Sequence, residues 1–174
     1  TSVLAVGYTL PPLRLCYRGL GEITVALTHS FGALYAGYLL QGGDIASGAP
    51  FALSVCLAMA ILPSILLAGV PDAEADRRTG KRTAAVLLGV TRTCALAAGF
   101  TVLSAALPTA RLLAGAPHLH ALAWVAPAHA ATIVYLLHRR RRALDRPQRI
   151  DSLLVASLGY ILWFVLLPIF SIWR

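Results

Sequence analysis

Apolar residues run almost unbroken through five stretches of the chain, 23–40, 50–70, 84–107, 117–137 and 152–173, with polar residues gathered between them. Each stretch is close to the roughly 17–25 residues an α-helix needs to cross a bilayer core. The fourth carries His118, His120 and His129 but is still long enough. Ahead of them the chain opens TSVLAVGYTL, apolar but too short to span alone, which reads as the second half of a helix. The pattern predicts an all-α polytopic membrane helix bundle, a partial first helix plus five spanning helices, forming one membrane domain over 1–174 that is truncated on its N-terminal side.

The connections carry turn and cap chemistry. QGGD and SGAP flank residues 41–49, and Pro50 suits the first turn of a helix. LPTARLLAGAP, after the third span, is apolar enough to lie at the interface. HRRRRALDRPQRID reads as a cation-rich helix end closed by Pro147, with Asp151 placed to cap the last helix.

Composition agrees with lipid as the surrounding solvent. The 174 residues are 58% hydrophobic and only 13% charged, with a mean hydropathy of +0.74, more apolar surface than a soluble domain can hide. The net charge of +8 suggests nucleic acid until its distribution is read. Arg14 and Arg18 fall in the first connection; Arg77, Arg78, Lys81 and Arg82 in the third; Arg139–Arg142, Arg146 and Arg149 in the fifth. The second connection has no lysine or arginine and the fourth only Arg111. Alternate basic loops follow the positive-inside rule, so the basicity is topological, the basic loops are expected on the cytoplasmic side of a bacterial-type plasma membrane, and no nucleic-acid partner is expected. Cys16, Cys56 and Cys94 have no disulfide or metal spacing.

The third connection departs from this economy of charge. Asp72, Glu74 and Asp76 stand among four cations between positions 72 and 82. If a helix begins near Pro71, Asp72 and Asp76 lie one turn apart on the same face. One or two carboxylates, with phosphate and water completing the shell, is how proteins commonly hold Mg²⁺. Lys81 and Arg82 follow directly, as expected around a diphosphate bridging metal and cations. From spacing alone a solvated loop, a cation-binding loop of a channel or transporter, or a non-catalytic membrane piece fits the same residues. Asp and Glu contribute little to orientation, however, so topology leaves these acids unexplained.

The stretch PDAEADRRTGKRTAAVLLG strongly resembles the second aspartate-rich motif of the UbiA superfamily of intramembrane prenyltransferases, in which D-x-x-x-D is followed by G-K-R-T and an apolar helix. The segment YTLPPLRLCYRGLGE, residues 8–22, resembles the family's upstream loop, and its P-P-x-R-L and R-G-L-G-E are most similar to the branch that prenylates 1,4-dihydroxy-2-naphthoate in menaquinone synthesis. The resemblance covers essentially the whole chain, as the C-terminal part of a nine-helix fold. It implies Mg²⁺ bound through Asp72 and Asp76, a polyprenyl diphosphate whose charge is met by Lys81, Arg82, Arg14 and Tyr8, and an aromatic acceptor. Glu74, on another face, is not expected to be a ligand. The family's first motif, N-x-x-x-D-x-x-x-D, is not among the 174 residues. It is expected upstream, in a missing N-terminal half without which this chain is not catalytically competent.

The remaining polar residues in the spans have plainer expected roles. His29 could meet an acceptor, and Arg92 snorkels towards the loop. His118 and His120 lie near the opposite boundary, and the arginine run anchors topology and touches lipid headgroups.

Overall fold

The computed structural model describes residues 2–46, 48–113, 124–140 and 151–172. Among them are eight α-helices and no strand: α1 (Ser2–Gly7), α2 (Gly21–Leu27), α3 (Ala33–Leu40), α4 (Gly48–Arg78), α5 (Ala84–Leu88), α6 (Val90–Leu113), α7 (Val125–Arg140) and α8 (Asp151–Ile172). A 3₁₀ turn at Leu15–Tyr17 interrupts the loop before α2.

The longest helix does not restart at Pro71: α4 runs through both Pro63 and Pro71 as one element of 31 residues, and so still puts Asp72 and Asp76 one turn apart. A proline removes one N–H and leaves the carbonyl four residues back without its helical partner, yet a membrane helix tolerates this. At 1.5 Å per residue α4 is about 46 Å long, well beyond the roughly 30 Å hydrocarbon core. Its last turns therefore carry Asp72 and Asp76 out of the apolar layer.

Two other spans are less regular than their hydropathy. The stretch 84–107 is broken at Gly89, whose φ of 79° and ψ of 162° are not helical and favour glycine. The stretch 23–40 contains a widened π-helical turn at Thr28–Gly32 between α2 and α3. A wider turn disturbs the i to i−4 ladder, and three consecutive side chains reach back to nearby carbonyls. Thr28 Oγ1 donates to Thr24 at 2.9 Å, His29 Nδ1–H to Val25 at 2.9 Å, and Ser30 Oγ to Ala26 at 2.6 Å. The polar triplet in an apolar helix thus has a local structural use.

Helix α4 is the hub, packed against α2, α3, α5, α6 and α8, with α7 completing the bundle against α6 and α8. The main core gathers Ala60, Leu67, Ala97, Ala130, Ile133 and Tyr160, the small residues letting helix backbones approach closely. Hydrogen bonds between helices stiffen it. Tyr160 Oη and Ser104 Oγ are 2.9 Å apart, and Trp163 Nε1–H donates to His129 Nδ1 at 3.0 Å. His129, which hydropathy registers only as a blemish, is a structural acceptor.

The outward faces are apolar. Leu40 is 88% exposed, and Val102, Leu103, Val155, Leu158 and Leu162 also face outward. An outer surface of this kind suits lipid. Gly21–Leu40 and Pro50–Arg78 are long and apolar enough to cross a membrane, with shorter apolar helices at Val90–Ala106 and Ser152–Leu166. His118, His120, Arg141, Arg142, Arg146, Arg149 and Trp173 lie outside the described residues.

Candidate active site

The acid-bearing end of α4 closes with a reversal that its sequence encodes. Gly80 adopts φ 77°, the left-handed conformation that terminates helices at low cost only for glycine. The Gly80 N–H donates to the Arg77 carbonyl at 3.3 Å and the Lys81 N–H to the Asp76 carbonyl at 3.0 Å. This pair of bonds is the Schellman motif, and it turns Lys81 back over the last turn. The Lys81 ammonium then lies 3.1 Å from Asp76 Oδ1. That hydrogen bond, followed by the carboxylate's negative charge, holds the Lys81 amine above its usual range.

The two acids differ in setting. Asp76 is 8% exposed, whereas Asp72, one turn earlier, is open to solvent. Glu74 points elsewhere and pairs with Arg77 at 3.1 Å and Arg78 at 3.2 Å. Those two cations are therefore engaged on the exposed face, and Lys81 alone of the four is paired with one of the two aspartates.

The upstream loop docks beside this end through its backbone. The Arg82 N–H donates to the Cys16 carbonyl at 3.0 Å, and the Cys16 N–H to the Tyr8 carbonyl at 3.1 Å. Tyr8 is half-buried here. Burial first, then the neighbouring Cys16 and Glu22, push its phenol above the usual value, with Lys81 opposing and Asp76 adding to the shift. Its hydroxyl is therefore a neutral donor at physiological pH.

Arg14 and Arg82 are both expected to face a diphosphate. Arg14 occupies the left-handed region at φ 46°, and its guanidinium lies 4.4 Å from the Tyr17 ring centroid. Arg18 donates to the Pro12 carbonyl at 3.0 Å. The Arg82 side chain is exposed, and it is the Arg82 backbone N–H that bonds the Cys16 carbonyl. Lys81 is thus paired with Asp76, Tyr8 lies near enough to feel both charges, and Arg14 is stacked on Tyr17 of its own loop.

One residue of the site escaped the sequence reading. Glu22, 9% exposed in the first turn of α2, accepts the Ala84 N–H at 2.6 Å across to α5. Its sequence signal was an acid at the head of an otherwise apolar helix. Away from this polar end, a groove of about 410 Å³ is lined by Leu4, Leu27, Thr28, Phe31, Gly32 and Tyr35. His29 is exposed outside that lining, with Nδ1 committed to Val25.

The donor set fits Mg²⁺ bound together with a phosphate ligand. Asp72 and Asp76 supply two carboxylates at helical spacing, and no group of three or more His, Cys, Asp or Glu side chains forms an all-protein cage among the described residues. Magnesium keeps waters and substrate phosphates in its shell and asks only one or two carboxylates of the protein.

Residues 1–165 match the model of the UbiA prenyltransferase family. The chain belongs to that family. Members of that family are integral membrane prenyltransferases that join an isoprenoid to an aromatic acceptor, and the apolar helices of this chain fit that membrane setting. No curated protein and no solved structure matches the chain.

Proposed function

We propose that this protein takes part in Mg²⁺-dependent transfer of an isoprenoid chain from a polyprenyl diphosphate to 1,4-dihydroxy-2-naphthoate, a step of menaquinone synthesis, and that it supplies the second aspartate-rich motif of that site. The observation that carries the proposal is the convergence of Asp76, Lys81 and Tyr8 at the polar end of α4, one turn from Asp72. The naphthoate acceptor is favoured by the P-P-x-R-L and R-G-L-G-E segments around Tyr8 and Glu22. The membrane would be the plasma membrane, with the acids on its cytoplasmic side, as the alternation of basic loops favours.

In this reading Asp72 and Asp76 would hold Mg²⁺ by their carboxylates, and the metal, when bound, would draw charge from the leaving diphosphate. Lys81, paired with Asp76, would neutralise a further part of that charge. The Tyr8 hydroxyl, kept protonated by its surroundings, donates to a diphosphate oxygen. The allylic C–O bond then breaks with its electron pair leaving on the diphosphate, and the electron-rich ring attacks the allylic carbon. In the naphthoate reaction the ring also loses its carboxylate as carbon dioxide. Apolar surface around the isoprenoid keeps water from the cationic carbon.

The test is transfer of a labelled polyprenyl group in membranes carrying the protein expressed from the complete gene. Asp72→Asn and Asp76→Asn should each lower the rate at least about 100-fold. Wild-type activity in both variants would sink the site assignment. Transfer to a different aromatic ring with none to the naphthoate would replace the acceptor and leave the site standing.

A further inference from the structure

Two loops far apart in sequence must keep their spacing if Tyr8 and Lys81 are to act on one ligand. The backbone bond from Arg82 to Cys16 supplies one tie. The second tie is the Glu22 carboxylate. It lies in the first turn of α2 and accepts from Ala84, the first residue of α5, so a single acid serves the starts of two helices.

The residue at the cap position of α5 makes no capping bond of its own. Thr83 stands at the cap position with extended backbone, but makes no side-chain capping bond, and its Oγ1 is buried without a hydrogen-bond partner. Threonine is a favoured cap for its own helix. Here an acid 62 positions away in sequence takes the N1 amide of Ala84, one that a side chain at the cap position does not ordinarily serve. A local cap would secure α5 alone, whereas a carboxylate from α2 fixes α5 against the upstream loop. A β-carbon at Gly21 would stand 3.4 Å from the Tyr8 hydroxyl and from the Cys16 backbone, so the start of α2 lies directly against the upstream loop.

We infer that Glu22 is a positioning residue: its carboxylate clamps the start of α5, and thereby sets Lys81 and Arg82 against Asp76 and Tyr8 for a diphosphate-bearing ligand. The inference rests on the prenyl-donor reading for the ligand, but not for the clamp itself. Glu22 touches neither aspartate in this scheme and acts through the segment 81–84.

The experiment compares wild type with Glu22→Ala, Glu22→Asp and Glu22→Gln, each in the Lys81 and the Lys81→Met background, using the complete protein in detergent. Two quantities are read: amide hydrogen exchange over 81–86, and binding of inorganic diphosphate with Mg²⁺. Loss of a buried charged acceptor predicts at least about tenfold faster exchange and about tenfold weaker diphosphate binding in Glu22→Ala. Glu22→Asp, with a shorter arm, should fall between, which keeps the inference testable if the alanine variant does not fold. Glu22→Gln keeps an acceptor oxygen at the same reach and should restore both readouts. In the Lys81→Met background the exchange effect should persist while the binding effect largely disappears. Equal weakening in both backgrounds, unchanged exchange, or failure of Gln to restore would overturn the positioning role. If the wild type binds no diphosphate, the donor reading falls, and the exchange comparison still decides whether Glu22 is the clamp.

Discussion

Lys81 returns to Asp76 by two routes at once: its backbone N–H reaches the Asp76 carbonyl at 3.0 Å, and its ammonium reaches the Asp76 carboxylate at 3.1 Å. The backbone bond belongs to the helix terminator and the side-chain bond to the site, so helix ending and charge placement are one event in this chain.

The side-chain bond gives a pH dependence with a fixed sign. Asp76 raises the Lys81 pKa above its ordinary 10.5. A group whose folded-state pKa is raised contributes fully below the unfolded value and loses that contribution as pH rises through the folded one. The difference in unfolding temperature between wild type and Lys81→Met should therefore stay constant from about pH 7 to about pH 9.5. It should shrink once the pH passes 10.5. Thermal melts across that range in a non-titrating detergent check this.

The backbone route predicts a penalty for any side chain at position 80. Gly80 has φ 77° with nothing within 4 Å of a β-carbon placed there, so space is not the obstacle and conformation is. Gly80→Ala should destabilise the protein by about 1 kcal/mol. It should also raise the KM for the diphosphate donor, because Lys81 no longer folds back as readily. Steady-state kinetics beside chemical denaturation separate the two effects.

Glu74 supplies the matching control. Its two ion pairs are solvent-exposed and local to the helix, 3.1 and 3.2 Å long. Glu74→Gln should change stability by no more than about 0.5 kcal/mol and leave prenyl transfer within about twofold of wild type. A large loss of activity would mean that the third acid belongs to the metal site.

The histidine in α7 is expected to matter for packing. A double-mutant cycle of Trp163→Phe and His129→Ala should give a coupling near 0.6 kcal/mol, up to about 1.7, the range of hydrogen bonds between membrane helices. Prenyl transfer per folded molecule should be unaffected. Unfolding in mixed micelles measures the first quantity and the membrane assay the second.

Orientation is open to direct labelling. A cysteine introduced at Ala73, between the two aspartates, should react with a membrane-impermeant thiol reagent only from the cytoplasmic side. Labelling solely from the opposite side would invert the proposed topology.

Hydropathy was enough to read the class of fold, because lipid-facing helices must be apolar along their length. It missed what happens inside those stretches. Gly89 breaks a helix without lowering the apolar count, and Pro71 fails to break one although proline usually marks an end. The aspartates could be found from spacing because i, i+4 geometry is local. Glu22 could not, since its partner Ala84 contributes only a backbone amide, and an amide leaves no trace in the identity of a residue. Arg14 shows the converse limit: a cation in the loop gives no hint that the next aromatic, Tyr17, will lie beneath its guanidinium.

The widened turn at Thr28–Gly32 has a consequence for how this protein can vary. A π turn holds one residue more than the α turn it replaces, so deleting a single residue there would restore a regular helix and leave the residues beyond it on the faces they now present. Phe31 and Tyr35 lie in or just after this turn and line the groove with Leu4 and Leu27, whereas Glu22 lies before it and is bonded to Ala84. The same deletion made in the regular helix of α3 would instead swing the residues beyond it by about 100°, so this turn is the place where the span can gain or lose a residue without changing what its far end faces.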